Sequence, residues 1–330
     1  MKICFLSNGT IQYGSYRIWV HDLNNNFAKL GYFSQINPTK LESFNVIIFG
    51  KDYITNISKI HKKYPDKIYG AINIENKNKD FYSFIDFVIV GSVEEKDSLL
   101  KFCKNIFIYP LIENMYLNVT RKVHVPKKKI TLGYHGNTVH LNHLSLGFNT
   151  AIKKIIQNYP NLHFKLVCIT NSFNHWQKKN YPEMEIELIK WNLQTIRSSF
   201  KNIDIGIIPT ISDVIKKNSH EPLIGKYDSD ITIRFKNKSN IGRALVFFQF
   251  GIPVIADYTP SNMSILGDEE QNGFAVLSHE GWYYAIEKLL DDKLRNQISN
   301  NAFKTYQNLY NPDKWSDRIW NQIKNIAPSQ

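Results

Sequence analysis

Residues 236–262 have the sequence KNKSNIGRALVFFQFGIPVIADYTPSN. It joins a basic cluster, a polar helix start, an apolar helix, a short apolar strand and a polar loop. Ser239 and Asn240 are residue types that cap helix N-termini, and Gly251 is a residue type that ends helices. The stretch therefore predicts a capped helix that leads into a buried strand.

The start of this helix is also basic, because Lys238 and Arg243 flank it. A helix N-terminus offers N–H groups without intrahelical partners and a partial positive charge. With two cationic side chains beside it, such a turn suits a phosphate or diphosphate. An ordinary capped helix with surface lysines is the alternative interpretation.

Apolar runs of strand length recur on both sides of this stretch. The first series is residues 2–7, 45–50, 67–72, 86–92 and 105–110. The second series is residues 129–136, 164–170, 185–191, 204–209, 252–257 and 273–278. Continuous apolar strands are typical of parallel sheets that helices cover on both faces. The chain is therefore predicted to be α/β, with two Rossmann-like doubly wound domains facing across a cleft.

The boundary between the series is a polar, basic stretch without helical or alternating period. We predict an N-terminal domain over residues 1–115, a linker over 116–129 and a C-terminal domain over 130–305. The last segment, residues 306–330, has an amphipathic helical pattern and is expected to pack back toward the N-terminal domain.

Composition and charge limit the classes to which the protein can belong. The 330 residues are 43% hydrophobic and carry a net charge of +12, which attracts phosphates, acidic lipid surfaces or nucleic acid. Neither a signal peptide nor a membrane-spanning run is evident, so a cytoplasmic protein is expected. The three cysteines lie in or beside apolar stretches and are predicted to be buried thiols.

The segment around the basic helix start resembles the donor segment of GT-B glycosyltransferases, in particular the glycosyltransferase family 4 type that builds bacterial surface polysaccharides. Residues 272–302, NGFAVLSHEGWYYAIEKLLDDKLRNQISNNA, resemble the family's Asn-Gly strand and the helices after it. The resemblance implies a hexosyltransferase-like enzyme that moves a sugar from a nucleotide-diphosphate sugar to a glycan or lipid-linked acceptor. It further implies retention of anomeric configuration, without a cofactor or a metal.

Site residues also follow from the resemblance. The donor-binding set it implies is Gly136, Asn137, Lys190, Trp191, Ser239, Asn240 and Arg243. Lys238 is implied to neutralise the leaving diphosphate, and His135, just before the Gly136 turn, is the second catalytic candidate. In the first domain, Gly14, Ser15 and Arg17 are expected on the acceptor side, at a helix start that follows the first strand.

Two other interpretations of the same fold stay open. Where many family members carry two glutamates, this chain has Lys238 and Val246, which leaves room for a catalytically silent sugar-nucleotide-binding paralogue. A sugar-nucleotide epimerase would hold the same diphosphate but would need an acid and a base. Its candidates, His135, Glu75 and Glu221, are scattered along the chain.

Other classes fit the sequence less well. No Gly-x-Gly-x-x-Gly fingerprint follows the first strand, which disfavours a nicotinamide enzyme. No zinc-finger, homeodomain or RNP-like motif is evident, so no nucleic-acid partner is expected. His135, His140 and His143 lack a cysteine or carboxylate at ligand spacing, so no metal is expected there.

The charge also suggests that the enzyme binds peripherally to the anionic inner face of a membrane. The basic residues proposed to contact it are Lys62, Lys63, Lys67, Lys101 and Lys104. Residues 212–236 form a long polar segment that is predicted to be a loop bordering the cleft, with a disordered surface insertion as the alternative. His220, Glu221 or Arg234 would then touch the sugar or the acceptor.

Overall fold

A computed structural model of the chain describes residues 1–74, 79–210, 212–216, 231–235, 240–266 and 271–326. The chain divides into two compact units. Unit 1 is Met1–Asn118, Asn240–Val246 and Tyr306–Gln330, and unit 2 is Val119–Ser239 and Phe247–Thr305. The predicted linker, residues 116–129, thus begins in unit 1 and continues in unit 2. The predicted C-terminal domain, residues 130–305, is interrupted by the short segment that groups with unit 1.

The strands and helices follow one another along the chain in α/β alternation. The strands are β1 Ile3–Leu6, β2 Ser34–Ile36, β3 Val46–Phe49, β4 Ile68–Ile72, β5 Phe87–Val90, β6 Asn105–Ile108, β7 Lys129–His135, β8 His163–Thr170, β9 Glu185–Lys190, β10 Ile205–Ile208, β11 Ser212–Lys216, β12 Ile231–Phe235, β13 Val254–Asp257 and β14 Phe274–Val276. The α-helices are α1 Gly14–Tyr16, α2 Leu23–Lys29, α3 Ile57–Lys63, α4 Lys79–Tyr82, α5 Val93–Leu99, α6 Phe148–Asn158, α7 Ile196–Lys201, α8 Gly242–Phe250, α9 Pro260–Leu266, α10 His279–Lys288, α11 Asp292–Leu309 and α12 Pro312–Ile326. A π-helical turn, Arg17–Asp22, joins α1 to α2, and 3-10 helices span Ile54–Asn56, Asn114–Tyr116, Thr138–Leu146, Phe173–His175 and Lys178–Asn180.

Unit 1 is built on a six-stranded parallel sheet with the order β2-β1-β3-β4-β5-β6. Both faces of this sheet are buried, and successive residues of β1 alternate between them. Ile3 and Phe5 pack with α2 and α12, whereas Cys4 and Leu6 pack with α3 and α5. This double burial is the reason why the sequence shows continuous apolar runs instead of alternation.

The C-terminal helix α12 covers part of the unit 1 core. Ile319 and Ile323 are fully buried there, and the Trp320 ring stacks on Tyr32 with 4.3 Å between ring centroids. The Tyr32 hydroxyl donates a hydrogen bond to Asp317 of the same helix. The last helix of the chain is therefore an integral layer of the unit that the first strand begins.

Unit 2 is built on a second six-stranded parallel sheet, with the order β14-β13-β10-β7-β8-β9. Numbered within the unit and read from β9, this order is 3-2-1-4-5-6, the doubly wound order of dinucleotide-binding domains. The helices α6 and α10 cover one face, with Phe148, Ile152, Trp282 and Ile286 buried against the strands. Each predicted apolar run overlaps a strand.

The helix of the opening stretch, α8, ends as the sequence predicts. Gly251 has φ +69°, a left-handed conformation that an L side chain adopts only at a cost. Its N–H donates to the Phe248 carbonyl at 3.1 Å, and the Ile252 N–H donates to the Phe247 carbonyl at 2.9 Å. These two bonds form a Schellman cap, which satisfies the last carbonyls of the helix.

The prediction for residues 212–236 needs a correction. An irregular loop is expected there, but the described ends of the segment form β11 and β12, which pair antiparallel from Ser212 with Phe235 to Lys216 with Ile231. The run ITIRF alternates apolar and polar residues over 231–235, which is the signal for a strand that the loop assignment missed. His220 and Glu221 lie outside the described residues.

The three cysteines are free and buried, as predicted. Burial raises the pKa of the Cys4 thiol to about 12, so this group stays protonated and unreactive at neutral pH. Within the described residues, none of the helices combines the length and the apolar character that crossing a bilayer requires.

Candidate functional sites

The topological switch point of unit 2 lies between β7 and β10, the two neighbouring strands at which the strand order reverses. Ligands of doubly wound sheets bind outside the carboxyl ends of the strands at such a point. The residues that follow these strand ends are Gly136 after β7 and Thr210 after β10. The first candidate site of the molecule is this edge of the unit 2 sheet.

Asn137 organises the loop after β7. Its side-chain oxygen accepts hydrogen bonds from the Val139 N–H at 3.0 Å and from the Ser172 hydroxyl at 3.3 Å, and it lies 3.1 Å from His175 Nδ1. The neighbouring Gly136 has φ +123°, a backbone conformation that favours glycine. The β7 and β8 loops are thus held together, with the amide oxygen of Asn137 already engaged.

His135 ends β7 and is half-buried between two aromatic rings. Its ring centroid lies 5.2 Å from that of Phe200 and 5.1 Å from that of Phe247, both edge to face. Edge-to-face packing on two rings fixes the orientation of the imidazole. The site therefore has a positioned histidine at the strand end, beside the Gly136 turn.

Asp257 ends β13, on the other side of β10. One oxygen of its carboxyl accepts a hydrogen bond from the Thr210 N–H at 2.6 Å, and the indole of Trp282 is a second donor. Burial raises the pKa of this carboxyl to about 7, against the effect of both donors. A cavity of about 20 Å³, enough for one water molecule, lies beside Asp257 and Trp282.

The other predicted donor residues are spread more widely. Lys190 ends β9, two strands from β7, and Trp191 follows it; the Lys190 side chain is exposed. Asn240 and Arg243 group with unit 1, where the Asn240 side-chain oxygen accepts the N–H of Gly242, the first residue of α8, at 3.2 Å. Three further candidates lie outside the described residues: Lys238, Ser239 and Glu75.

A second candidate site is a cavity of about 410 Å³ within unit 1. It lies at the carboxyl ends of β1 and β3, which are neighbours at the switch point of the unit 1 sheet. Its lining includes the aromatic side chains Tyr13, Tyr16 and Trp19 and the polar or charged residues Ser7, Lys51 and Asp52. Aromatic and polar groups therefore both line the cavity, and the charged groups among them are one cation and one anion.

The polar end of the unit 1 cavity is a small hydrogen-bonded network. The Ser7 hydroxyl donates to Asp52 Oδ1 at 2.7 Å and accepts from the Gly9 N–H at 3.2 Å. The Asn8 N–H donates to the other carboxylate oxygen of Asp52. Sequence reasoning missed these residues, because only the strand order of the folded sheet shows that Ser7 and Asp52 follow neighbouring strands.

The three predicted acceptor-side residues have different places in unit 1. Ser15 lines the cavity, and Gly14 precedes it at the start of α1. The Arg17 guanidinium is buried in a bidentate ion pair with Glu113, at 2.9 and 2.7 Å, and also donates to the Ile11 carbonyl at 2.8 Å. Arg17 therefore holds two loops of unit 1 together, and its contact with an acceptor stays a prediction.

Comparison with known proteins identifies the architecture. No protein-family model matches the chain, and no curated protein matches its sequence. Among solved structures, sucrose-phosphate synthase from Thermosynechococcus elongatus is similar with a TM-score of 0.66 at 12% identity, over 98% of both chains. A glycosyltransferase from Rickettsia africae ESF-5 is similar with a TM-score of 0.66 at 14% identity, over 100% of this chain and 99% of that one.

A third similar structure is HepE from Anabaena in complex with UDP, with a TM-score of 0.60 at 11% identity, over 99% of this chain and 100% of that one. The chain has the GT-B fold. The predicted fold class is confirmed, whereas membership of glycosyltransferase family 4 stays a prediction. Identities this low show the fold alone, so activity has to be argued from the sites.

Proposed function

We propose that the protein is a GT-B glycosyltransferase that moves a sugar from a nucleotide-diphosphate sugar to a hydroxyl of a glycan or lipid-linked acceptor. The observation that carries this proposal is the unit 2 switch point, where a glycine turn, a packed histidine and the Thr210–Asp257 pair meet at the carboxyl edge of a 3-2-1-4-5-6 sheet. Full-length likeness to three GT-B structures supports it.

The donor is proposed to be a uridine diphosphate sugar, because the similar HepE structure is a complex with UDP. Lys238, Ser239 and Asn240 are proposed to hold the diphosphate, and Lys238 to neutralise the charge that builds on it as the sugar leaves. No metal or cofactor is required in this scheme, and the anomeric configuration is retained. Asn240 lies just before α8, where its side-chain oxygen accepts a hydrogen bond from the Gly242 N–H.

We propose that the enzyme binds at the cytoplasmic face of a membrane. Its acceptors there are proposed to be glycans of the surface-polysaccharide type. Four of the five basic residues offered for this, Lys62, Lys63, Lys101 and Lys104, have exposed side chains. They lie on or just after α3 and α5, helices that cover the same face of the unit 1 sheet. Lys67 is half-buried and donates to the Glu42 carbonyl at 2.8 Å, so it is less available.

The donor reaction is tested by incubating the full chain with UDP-glucose, UDP-galactose and UDP-N-acetylglucosamine, with and without chelator. Release of UDP supports transfer, with water as the acceptor in the absence of a glycan. Lys238→Ala should lower turnover by about a hundredfold to a thousandfold, since one preorganised group that stabilises developing charge contributes roughly 3 to 4 kcal/mol. Surface Lys179→Ala is the matched control and should leave turnover unchanged.

The same incubation separates the alternatives. An altered sugar still attached to its nucleotide would identify an epimerase. Nucleotide binding without any turnover of several donors would identify a silent paralogue, in agreement with the buried Val246 at a position where many family members have a glutamate. A β-linked product from an α-linked donor would contradict retention while leaving transferase activity in place.

A further inference from the structure

We propose that Leu111 sets the position of the first turn of α8, and that the Arg17–Glu113 ion pair fixes Leu111 by holding the loop that carries it. All three are then positioning residues for the donor diphosphate, because they act on it through α8. This inference rests on the proposed function, which assigns the diphosphate to the start of α8, and it adds residues that determine how tightly this group binds.

The first turn of α8 packs directly on Leu111, and both group with unit 1. A Cβ atom on Gly242, the first residue of α8, would lie 2.7 Å from Leu111 Cβ. Carbon atoms in contact are normally about 3.5–4.0 Å apart, so only a residue without a side chain fits here. Glycine is a poor helix former, and this steric demand accounts for its place in the first turn. The position of Leu111 therefore limits where α8 can begin.

A second glycine leaves room for the Leu111 side chain. A Cβ atom on Gly91, just after β5, would lie 2.7 Å from Leu111 Cδ1 and 2.9 Å from the Trp19 ring. Leu111 and Trp19 belong to the same hydrophobic core of unit 1. The Trp19 indole is held in turn by a hydrogen bond from Nε1 to the Tyr109 carbonyl at 3.1 Å. The Leu111 side chain therefore has little room to change its position.

The loop that carries Leu111 is anchored by Arg17. The Arg17 guanidinium donates to both carboxylate oxygens of Glu113, at 2.9 and 2.7 Å, a bidentate arrangement with a specific geometry. Between Leu111 and Glu113, the side chain of Ile112 is fully buried, and its N–H donates to the Pro110 carbonyl at 2.8 Å. Because this connection is short and packed, a shift of Glu113 is passed on to Leu111.

These contacts form a continuous path of packed groups from Arg17 to Gly242, of the kind that can carry energetic coupling. The N–H groups of a helix start bind an anion only while they point at it, because hydrogen bonds weaken steeply when misaligned. A displaced first turn of α8 should therefore weaken the binding of a diphosphate. The binding of a nucleoside without phosphates should not change.

The test compares UDP with uridine, which lacks the diphosphate, on the full chain by saturation-transfer NMR. Gly242→Ala should weaken UDP binding about tenfold or more, since one hydrogen bond to a charged group is worth about that factor. Uridine binding should stay the same, whereas a variant that merely loosens the fold would weaken both ligands. A Cβ atom on Gly281, in the first turn of α10, would lie 3.3 Å from its nearest neighbour, so Gly281→Ala is the matched control and should leave both affinities unchanged.

Glu113→Asp tests the ion pair without removing its charge. The shorter side chain must draw the loop toward Arg17 by up to about 1.5 Å, the length of one carbon–carbon bond, to keep the pair. UDP binding should weaken several-fold and uridine binding should not. Glu42→Asp, at an exposed position of unit 1, should change neither. Wild-type UDP affinity in both Gly242→Ala and Glu113→Asp, or an equal loss for both ligands, would overturn the proposal.

Hydrogen exchange separates the failure of this proposal from the failure of the proposed function, because it needs no ligand. The Leu245 N–H donates to the Ile241 carbonyl at 3.0 Å at the start of α8. In Glu113→Asp, peptides that cover this turn should exchange faster than in the wild type, whereas peptides from α12 should not. Faster exchange in a chain that binds no UDP would keep the positioning path and reject the nucleotide assignment. Turnover of UDP-sugars with unchanged exchange and unchanged UDP affinity would reject the path and leave the transferase in place.

Discussion

At the scale of single residues, Asp257 makes the stability of the protein depend on pH. Its carboxyl has a pKa raised by burial from 3.8 to about 7, so the folded state keeps a proton that the unfolded state has lost. The stabilising contribution is complete below the unfolded pKa and declines as pH rises toward about 7. Asp257→Asn should therefore raise the melting temperature more at pH 8 than at pH 5.

The control for this prediction is the exposed Asp66→Asn, which should give the same small change at both pH values. Because the amide oxygen introduced by Asp257→Asn can still accept the Thr210 N–H, the substitution removes the charge and keeps this bond. A melting-temperature difference between Asp257→Asn and wild type that is the same at pH 5 and pH 8 would contradict the raised pKa.

Residue-level prediction from the sequence succeeded where local chemistry decides the outcome. Asn240 and Gly251 belong to helix ends, and a helix end is a matter of a few neighbouring residues. The Ser7–Asp52 pair depends instead on which strands are neighbours in the sheet, over a separation of 45 residues. A single sequence does not state that neighbourhood, so the polar end of the unit 1 cavity was missed.

At the scale of an element, the left-handed cap of α8 is a quantitative prediction. Gly251→Ala should destabilise unit 2, because the left-handed backbone costs an L residue roughly 1–2 kcal/mol. Crowding adds to this, since the new Cβ atom would lie 3.2 Å from Arg121 Cβ and from the Lys122 nitrogen. The melting temperature should fall by several degrees, measured by differential scanning calorimetry.

Gly31→Ala is the matched control for the cap. Gly31 has φ +80° but no atom within 4 Å of an added Cβ, so its substitution reports the backbone cost alone. Gly251→Ala should therefore be the more harmful of the two. An equal fall in melting temperature in the two variants would show that the residues around Gly251 move aside without loss of stability.

Elements were predicted well where burial on both faces left continuous apolar runs, as in β3 and β7. The edge strand β2, with the sequence SQI, is only partly buried and carries no such run. The pair β11 and β12 was missed although the run over β12 alternates, because the long polar sequence between the two runs favoured a loop assignment. In physical terms, the sequence pattern reports burial, and strands that bury little leave a weak pattern.

At the scale of the whole molecule, the net charge of +12 predicts salt-sensitive binding to anionic vesicles. Each basic side chain near such a surface contributes about 1 kcal/mol. A fourfold Lys→Gln variant at Lys62, Lys63, Lys101 and Lys104 should therefore lose most of its sedimentation with phosphatidylserine vesicles at low salt. Neutral phosphatidylcholine vesicles should bind neither protein.

A charge-matched control is available in unit 2. The exposed residues Lys128, Lys178, Lys179 and Lys201 can be replaced by glutamine to give the same change in net charge. This control should still sediment with anionic vesicles. Equal loss in both variants would mean that total charge, and no particular face of unit 1, attracts the protein to the surface.

Unit 1 is built from separate segments of the chain, and this determines when its parts become available during synthesis on the ribosome. Its first part ends at Asn118 and its last part begins at Tyr306, so the whole of unit 2 is translated in between. At about 5–20 residues per second, that interval is on the order of 10–40 s. Throughout it, the Phe27 and Tyr32 rings that Trp320 covers in the finished fold have no partner from α12. We therefore expect the nascent first unit to expose this aromatic surface until the final helix emerges.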